Sequence, residues 1–232
     1  MLFLLAASAV ALALTPPKPT PPAANGTVIL DGVETPVHWD DGDTFMVPST
    51  RLKARLGGYN TLESYGAVHR FGPGELHLQR IATEATALAK SKPWACTAQQ
   101  GSGGYGRTRV DCPGLREALL EAGLAHVFAV DETGSPGDLA AQQRGIDGGL
   151  GMWAKGAPSA IVTSVHSVDE KPGQTETYNR ILDIQTGTTS KRMHGNVYRP
   201  CEWVCEGDSC LLYVPYAQRY GPSRADCLRP EK

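Results

Sequence analysis

Residues 40–63 read DDGDTFMVPSTRLKARLGGYNTLE. Asp41 and Asp43 flank Gly42, so a strand starting here would put both carboxylates on one face, and the glycine would let the backbone come close. Paired carboxylates of that kind suit a hard cation. Arg51 to Leu56 then alternates basic with apolar, the period-2 pattern of a half-buried strand, which places Arg55 on the same face as Arg51 and Lys53. Gly57 and Gly58 break the alternation and read as a short loop that brings Asn60, Thr61 and Glu63 toward the acids.

Taken singly, each piece has an ordinary explanation, since most DGD triplets are solvated turns and most arginines on alternating strands are surface charge. Their order and spacing say more. Asp41-Gly42-Asp43-Thr44, Arg55-Leu56, Asn60-Thr61-Leu62-Glu63 and Tyr105-Gly106-Arg107 resemble, in sequence and interval, the DGDT, R-L, D-x-P-E and YGR motifs of the thermonuclease (staphylococcal-nuclease-like) family. Arg116 to Ala125, REALLEAGLA, is similar to that family's second helix. The likeness spans roughly residues 26–153.

The resemblance implies a fold and a chemistry. The fold is α+β, a five-stranded OB-type Greek-key barrel with about three helices. The chemistry is metal-dependent hydrolysis of phosphodiester bonds in DNA and/or RNA, leaving 3′-phosphates. Calcium is the implied cofactor, held by Asp43, the side chain of Asn60 and the carbonyl of Thr61, with Asp41 close by. Glu63 is the implied general base for the attacking water, Arg55 and Arg107 the forks onto the phosphoryl oxygens, and Tyr105 a phosphate contact. The chain departs from the pattern at Asn60, where the family has aspartate, and at Leu62, where it has proline. Ala129 and Asp131 stand where the family's type enzyme has tyrosines that contact substrate.

Charge qualifies this reading. The net charge is −2, and residues 1–153 carry 12 Lys and Arg against 15 Asp and Glu, whereas binders of nucleic acid draw most of their affinity from excess cations. A metal-centred enzyme with transient hold on its substrate meets that objection better than a tight binder does. The competing reading is a non-catalytic nuclease-like binding module acting at the cell surface.

The chain divides by composition. Met1 to Leu14 is apolar apart from Ser8, too short for a membrane span but suited to a signal-peptide core, with Ala11-Leu12-Ala13 as a cleavage pattern near residue 13. A secreted or periplasmic monomer, without membrane insertion after signal removal, is expected. Residues 14–25 form a linker rich in proline, with five prolines between Thr15 and Ala24. Residues 26–153 are the nuclease-like domain and residues 154–232 a small disulfide-stapled β-rich C-terminal module, in which no family is recognised.

Six cysteines, an even count, fit an oxidising compartment. Cys96 and Cys112 bracket a glycine-rich turn between two strand-like runs, 93–97 and 107–112, so a cross-strand disulfide pinning the hairpin of Arg107 is expected. Cys201, Cys205, Cys210 and Cys227 read as disulfides of unassigned pairing, with zinc as the lesser alternative. Helices are expected over 75–90, 116–125 (ended by Gly123) and 136–145, and strands over 161–168, 178–184 and 211–216. His166 and His194 read as packing or surface residues; Tyr198, Trp203, Tyr213, Tyr216 and Tyr220 read as a small core.

Overall fold

The structure, a computed structural model, describes residues 20–72, 77–102 and 106–229. The signal-like segment and Tyr105 lie outside the described residues. The fold is α+β. Strands β1 (Gly26–Leu30) and β2 (Val33–Trp39) are joined by Asp31 and Gly32, both at positive φ (50° and 82°), the two-residue turn whose twist matches a hairpin. Then follow β3 (Thr44–Val47), β4 (Leu52–Leu56), β5 (Gly58–Thr61), β6 (His69–Phe71), α1 (Leu78–Lys90), β7 (Trp94–Ser102), β8 (Thr108–Asp111), α2 (Pro113–Glu121), β9 (Ala125–Val130) and α3 (Pro136–Asp147).

Strands β1, β2, β3, β4, β8 and β7 close a barrel in that order, so the barrel has six strands where five were expected. The extra closure comes from parallel pairings of β1 with β7 and of β4 with β8, contacts between segments far apart in sequence. Its interior holds Val28, Val37, Trp39, Phe45, Ala54, Leu56 and Val110, all at most 2% exposed. Burying a side chain of that size contributes about 1.5–3 kcal/mol. The edge-on packing of Trp39 against Phe45, centroids 5.0 Å apart, adds specificity.

Helix α1 lays Leu78, Ile81, Ala82, Ala85 and Ala89 on this core, the spacing that its sequence announced. Helix α2 starts at Pro113, three residues before the expected Arg116, because proline fits the first helical turn, where its missing N–H costs nothing. It ends as the glycine indicated: Gly123 (φ 65°) donates to the Leu120 carbonyl and Leu124 to the Leu119 carbonyl, the paired bonds of a Schellman cap. Ala125 already belongs to β9. Helix α3 is capped by Ser135, whose hydroxyl accepts from the Asp138 N–H.

Strands β10 (Ala160–Ser164), β11 (Thr177–Asp183), β12 (Thr188–His194), β13 (Glu202–Glu206) and β14 (Ser209–Tyr213) complete the fold. The sequence pattern indicated β10, β11 and β14 but neither β12, whose outer face is charged, nor β13. β10, β11, β12, β9 and β5 form one sheet; β13, β14 and β6 form another. β10 stops at Ser164, short of the expected Val168, where a single 3-10 turn begins with the capping box of Ser167 and Glu170.

Disulfides link Cys96 to Cys112, as the hairpin required, and also Cys201 to Cys227 and Cys205 to Cys210. All four C-terminal cysteines are thereby used, leaving none for zinc. Of the five C-terminal aromatics, Tyr213 is core, and Tyr198 and Trp203 pack against it, but Tyr216 and Tyr220 are 78% and 57% exposed. His194 bonds Asn179 through Nε2 (3.0 Å), the packing role expected of it. Among the described residues no helix is long and apolar enough to cross a membrane.

Candidate active site

The loop of Asp40 to Asp43 precedes β3, so the two acids sit in a turn rather than on the face of a strand. The Asp43 N–H donates to Asp41 Oδ1 (3.0 Å), an Asx-type closure that orients both side chains. Gly42 is needed for packing: a Cβ there would lie 2.7 Å from Thr61 Cγ2 and 3.0 Å from the Ala85 Cβ of α1. Beneath the loop, the buried Tyr59 hydroxyl donates to the Gly42 carbonyl at 2.8 Å.

The stretch expected to be a loop, Gly57 to Thr61, is mostly strand. Gly58, at φ 85°, turns the chain out of β4 directly into β5, which pairs antiparallel with β9. Arg116 buttresses that turn, with Nη1 bonded to Asp111 and 3.4 Å from the Gly57 carbonyl, and Nε 2.8 Å from Asp138 Oδ1. The strand places Tyr59 and Thr61 inward. Asn60 is left beside Arg55.

Four of the expected residues form one network. Asp43 is 1% exposed, and its Oδ2 accepts from the Thr61 N–H (2.8 Å) and hydroxyl (3.1 Å). Its Oδ1 accepts from the Thr44 hydroxyl (2.9 Å) and from Arg55 Nη1. Arg55 Nη2 donates to Asn60 Oδ1, and Asn60 Nδ2 donates to the Thr61 carbonyl at 2.8 Å. The guanidinium is therefore held between Asp43 and Asn60. A buried carboxylate so paired has its desolvation offset by charge-assisted bonds.

Electrostatics ties in the remaining groups. Burial raises Asp41 above the ordinary carboxylate range, opposed first by Arg55 and more weakly by Arg107. Burial also raises Glu63; Arg219 opposes that most, Asp41 reinforces it, and Arg55 and Arg107 oppose it further. Arg107, immediately before β8, is thus within electrostatic reach of Asp41, Arg55 and Glu63.

Two residues of this site escaped the sequence reading. His69, on β6 and 5% exposed, accepts the Glu63 N–H through Nε2 at 3.0 Å. The neutral ring then carries its proton on Nδ1, which has no partner among the described residues. Arg219 comes from the C-terminal part of the chain, and its guanidinium lies over the Tyr65 ring at 4.6 Å. No local pattern announces either one.

The donors of Asp41, Asp43, Asn60 and Thr61 are all oxygen, which in kind fits a hard divalent cation. In the described arrangement Arg55 supplies the positive charge between Asp43 and Asn60, so a cation there competes with the guanidinium. Among the described residues no three His, Cys, Asp or Glu side chains cluster as a metal site. Compared with models of known protein families and with curated proteins, the chain matches none.

Proposed function

We propose that the chain is a metal-dependent phosphodiester hydrolase of the thermonuclease kind, acting on DNA and/or RNA outside the cytoplasm. The observation that carries this is the network that holds Arg55 between Asp43 and Asn60, with Glu63 and Arg107 within electrostatic reach of Asp41 and Arg55. A closed barrel with α1 packed beside the acidic loop agrees with the OB-type architecture that such a site uses. Three disulfides agree with an exported protein.

In this mechanism Glu63 accepts the proton of the attacking water. Its burial, which moves the carboxyl above the usual range, is the direction that a base working near neutral pH requires. Arg55 exchanges a bond to Asp43 or Asn60 for a phosphoryl oxygen, and Arg107 supplies the second fork, so that planar donors meet the charge growing on phosphorus. Tyr105 is assigned a phosphate contact by the resemblance alone. Asp41, Asp43, Asn60 and the Thr61 carbonyl would hold calcium, which when bound supplies Lewis-acid stabilisation of the phosphate.

The second reading, a binding module without turnover, draws on the occupation of Asp43 and Asn60 by Arg55. Incubating the purified full chain with single-stranded DNA, plasmid and RNA, in calcium or in chelator, separates the two. Calcium-dependent cleavage that falls about 10²-fold or more in Arg107→Ala and Glu63→Gln supports the enzyme. Wild-type rates in both variants would overturn the site, and no cleavage at all would leave the binding module.

A further inference from the structure

The loop following Glu63 is covered by the last segment of the chain. Tyr65 is buried in the C-terminal core with Val214, Ala225 and Leu228. Arg224 Nη2 donates to the Tyr65 carbonyl at 2.6 Å, and Gly66 lies so close to Leu228 that an added Cβ would stand 2.7 Å from it. The Cys201–Cys227 disulfide closes this segment onto the β13–β14 hairpin.

On that support stand three side chains that the core uses only in part. Tyr216 and Tyr220 are 78% and 57% exposed. Arg219 accompanies them. Its Nε donates to the Val214 carbonyl (3.1 Å), its Cζ lies 4.6 Å from the centre of the Tyr65 ring and 6.0 Å from that of Tyr216, and its two Nη groups have no hydrogen-bond partner among the described residues. Tyr220 meets Tyr65 edge-on, centroids 6.3 Å apart. A planar cation fixed at one nitrogen, with its fork free and exposed aromatic rings nearby, is the combination that binds a nucleotide strand: the fork takes a phosphate and the rings take bases.

We infer that Arg219, Tyr216 and Tyr220 form a nucleotide subsite beside Glu63, with Arg219 contacting a phosphate next to the scissile one and the two tyrosines stacking bases of a single strand. The subsite rests on the hydrolase reading above. It also supplies what the main domain lacks, since Ala129 and Asp131 offer no ring to a base and the net charge of the chain is −2. Tyr65, against which both Arg219 and Tyr220 lie, is two residues from Glu63, which puts both on the Glu63 side of the segment.

The test measures binding of a fluorescein-labelled oligothymidylate, and of the same backbone without bases, to full-length Glu63→Gln protein in calcium at several salt concentrations. Added to that background, Arg219→Ala should weaken both probes about tenfold and lower the salt slope by about 0.7, the value for one phosphate contact on a single strand. Tyr216→Ala and Tyr220→Ala should weaken the oligothymidylate between about fivefold and a hundredfold and leave the abasic probe unchanged. Arg219→Gln, which can still lie on Tyr65, decides the matter should Arg219→Ala unfold. If the wild-type chain cleaves oligothymidylate and all these variants bind within about twofold of the background protein, the subsite is wrong and the hydrolase reading stands. A wild-type chain that neither binds nor cleaves nucleic acid overturns both.

Discussion

The backbone N–H of Glu63 donates to Nε2 of His69, 3.0 Å away, so the proposed general base is anchored by a histidine on the neighbouring strand and not only by its own loop. The ring is buried and neutral, with its pKa pushed down to about 3 by burial and then by His126.

Replacing His69 should therefore lower turnover without touching metal affinity. His69→Ala leaves the Glu63 N–H unpaired and should cost about 1–3 kcal/mol in urea unfolding together with about tenfold or more in kcat. His69→Gln, which can offer an oxygen to the same N–H, should recover part of both. Equal kcat in wild type and His69→Ala would remove His69 from the site.

In the proposed site, Asn60 is the residue that should set the affinity for the cation. Adding a carboxylate in Asn60→Asp should tighten calcium by about tenfold or more from a starting affinity toward the millimolar end of the range. Calorimetric titration of both proteins reads this directly. If the two bind calcium alike, Asn60 is not a ligand.

Gly58 fixes the turn between Arg55 and Asn60. At φ 85°, with a Cβ position only 2.9 Å from Arg116 Cδ, Gly58→Ala should destabilise the fold by about 1–3 kcal/mol and impair cleavage, because the arginine it would displace is held by Asp111 and Asp138. Thermal unfolding of the variant at unchanged secondary structure provides the measurement.

Stability should fall with acid well above the carboxylate range. His69 and His126 stay neutral in the fold down to about 3 and about 4, whereas in the unfolded chain each titrates near 6.5. The unfolded state thus takes up protons first, and stability, complete above about pH 6.5, declines below it by at most about 1.4 kcal/mol per pH unit for each group. Asp41 and Glu63, raised by burial, oppose this as the pH nears their own titration. Urea midpoints that do not change between about pH 7 and 5 would show that the two rings are not buried as described.

What could be read from the sequence follows from distance along the chain. The alternation of Arg51 to Leu56 and the periodicity of α1 are local and indicate their elements directly, except that Arg51 turns at φ 60° ahead of β4 and so does not share the strand face of Lys53 and Arg55. The grouping of Asp43, Arg55, Asn60 and Thr61 could be read because all four lie within one short stretch. The sixth barrel strand could not, since it depends on β1 lying parallel to β7. Gly58 to Thr61 reads as loop but is strand, because glycine at positive φ, here Gly58, serves a sharp strand-to-strand reversal as well as it serves a loop. His69 carries no pattern of its own, and Arg219 and Tyr220 reach Tyr65 only through pairings that no window of sequence contains. The exposed tyrosines also show that aromatic content alone does not separate core from surface.

The bond from Arg224 to Tyr65 joins positions 159 residues apart. Such a contact closes late, because the entropy of a long loop must be met before its partners reward it. During synthesis the barrel and its acidic loop can form while the chain that covers Tyr65 is still being made, and the Cys201–Cys227 link can lock that cover only after oxidation. A newly made chain would then pass through a stage with Arg55 and the acidic loop assembled and Tyr65 still uncovered. On the proposed reading, full hold on substrate would follow only once that cover has closed.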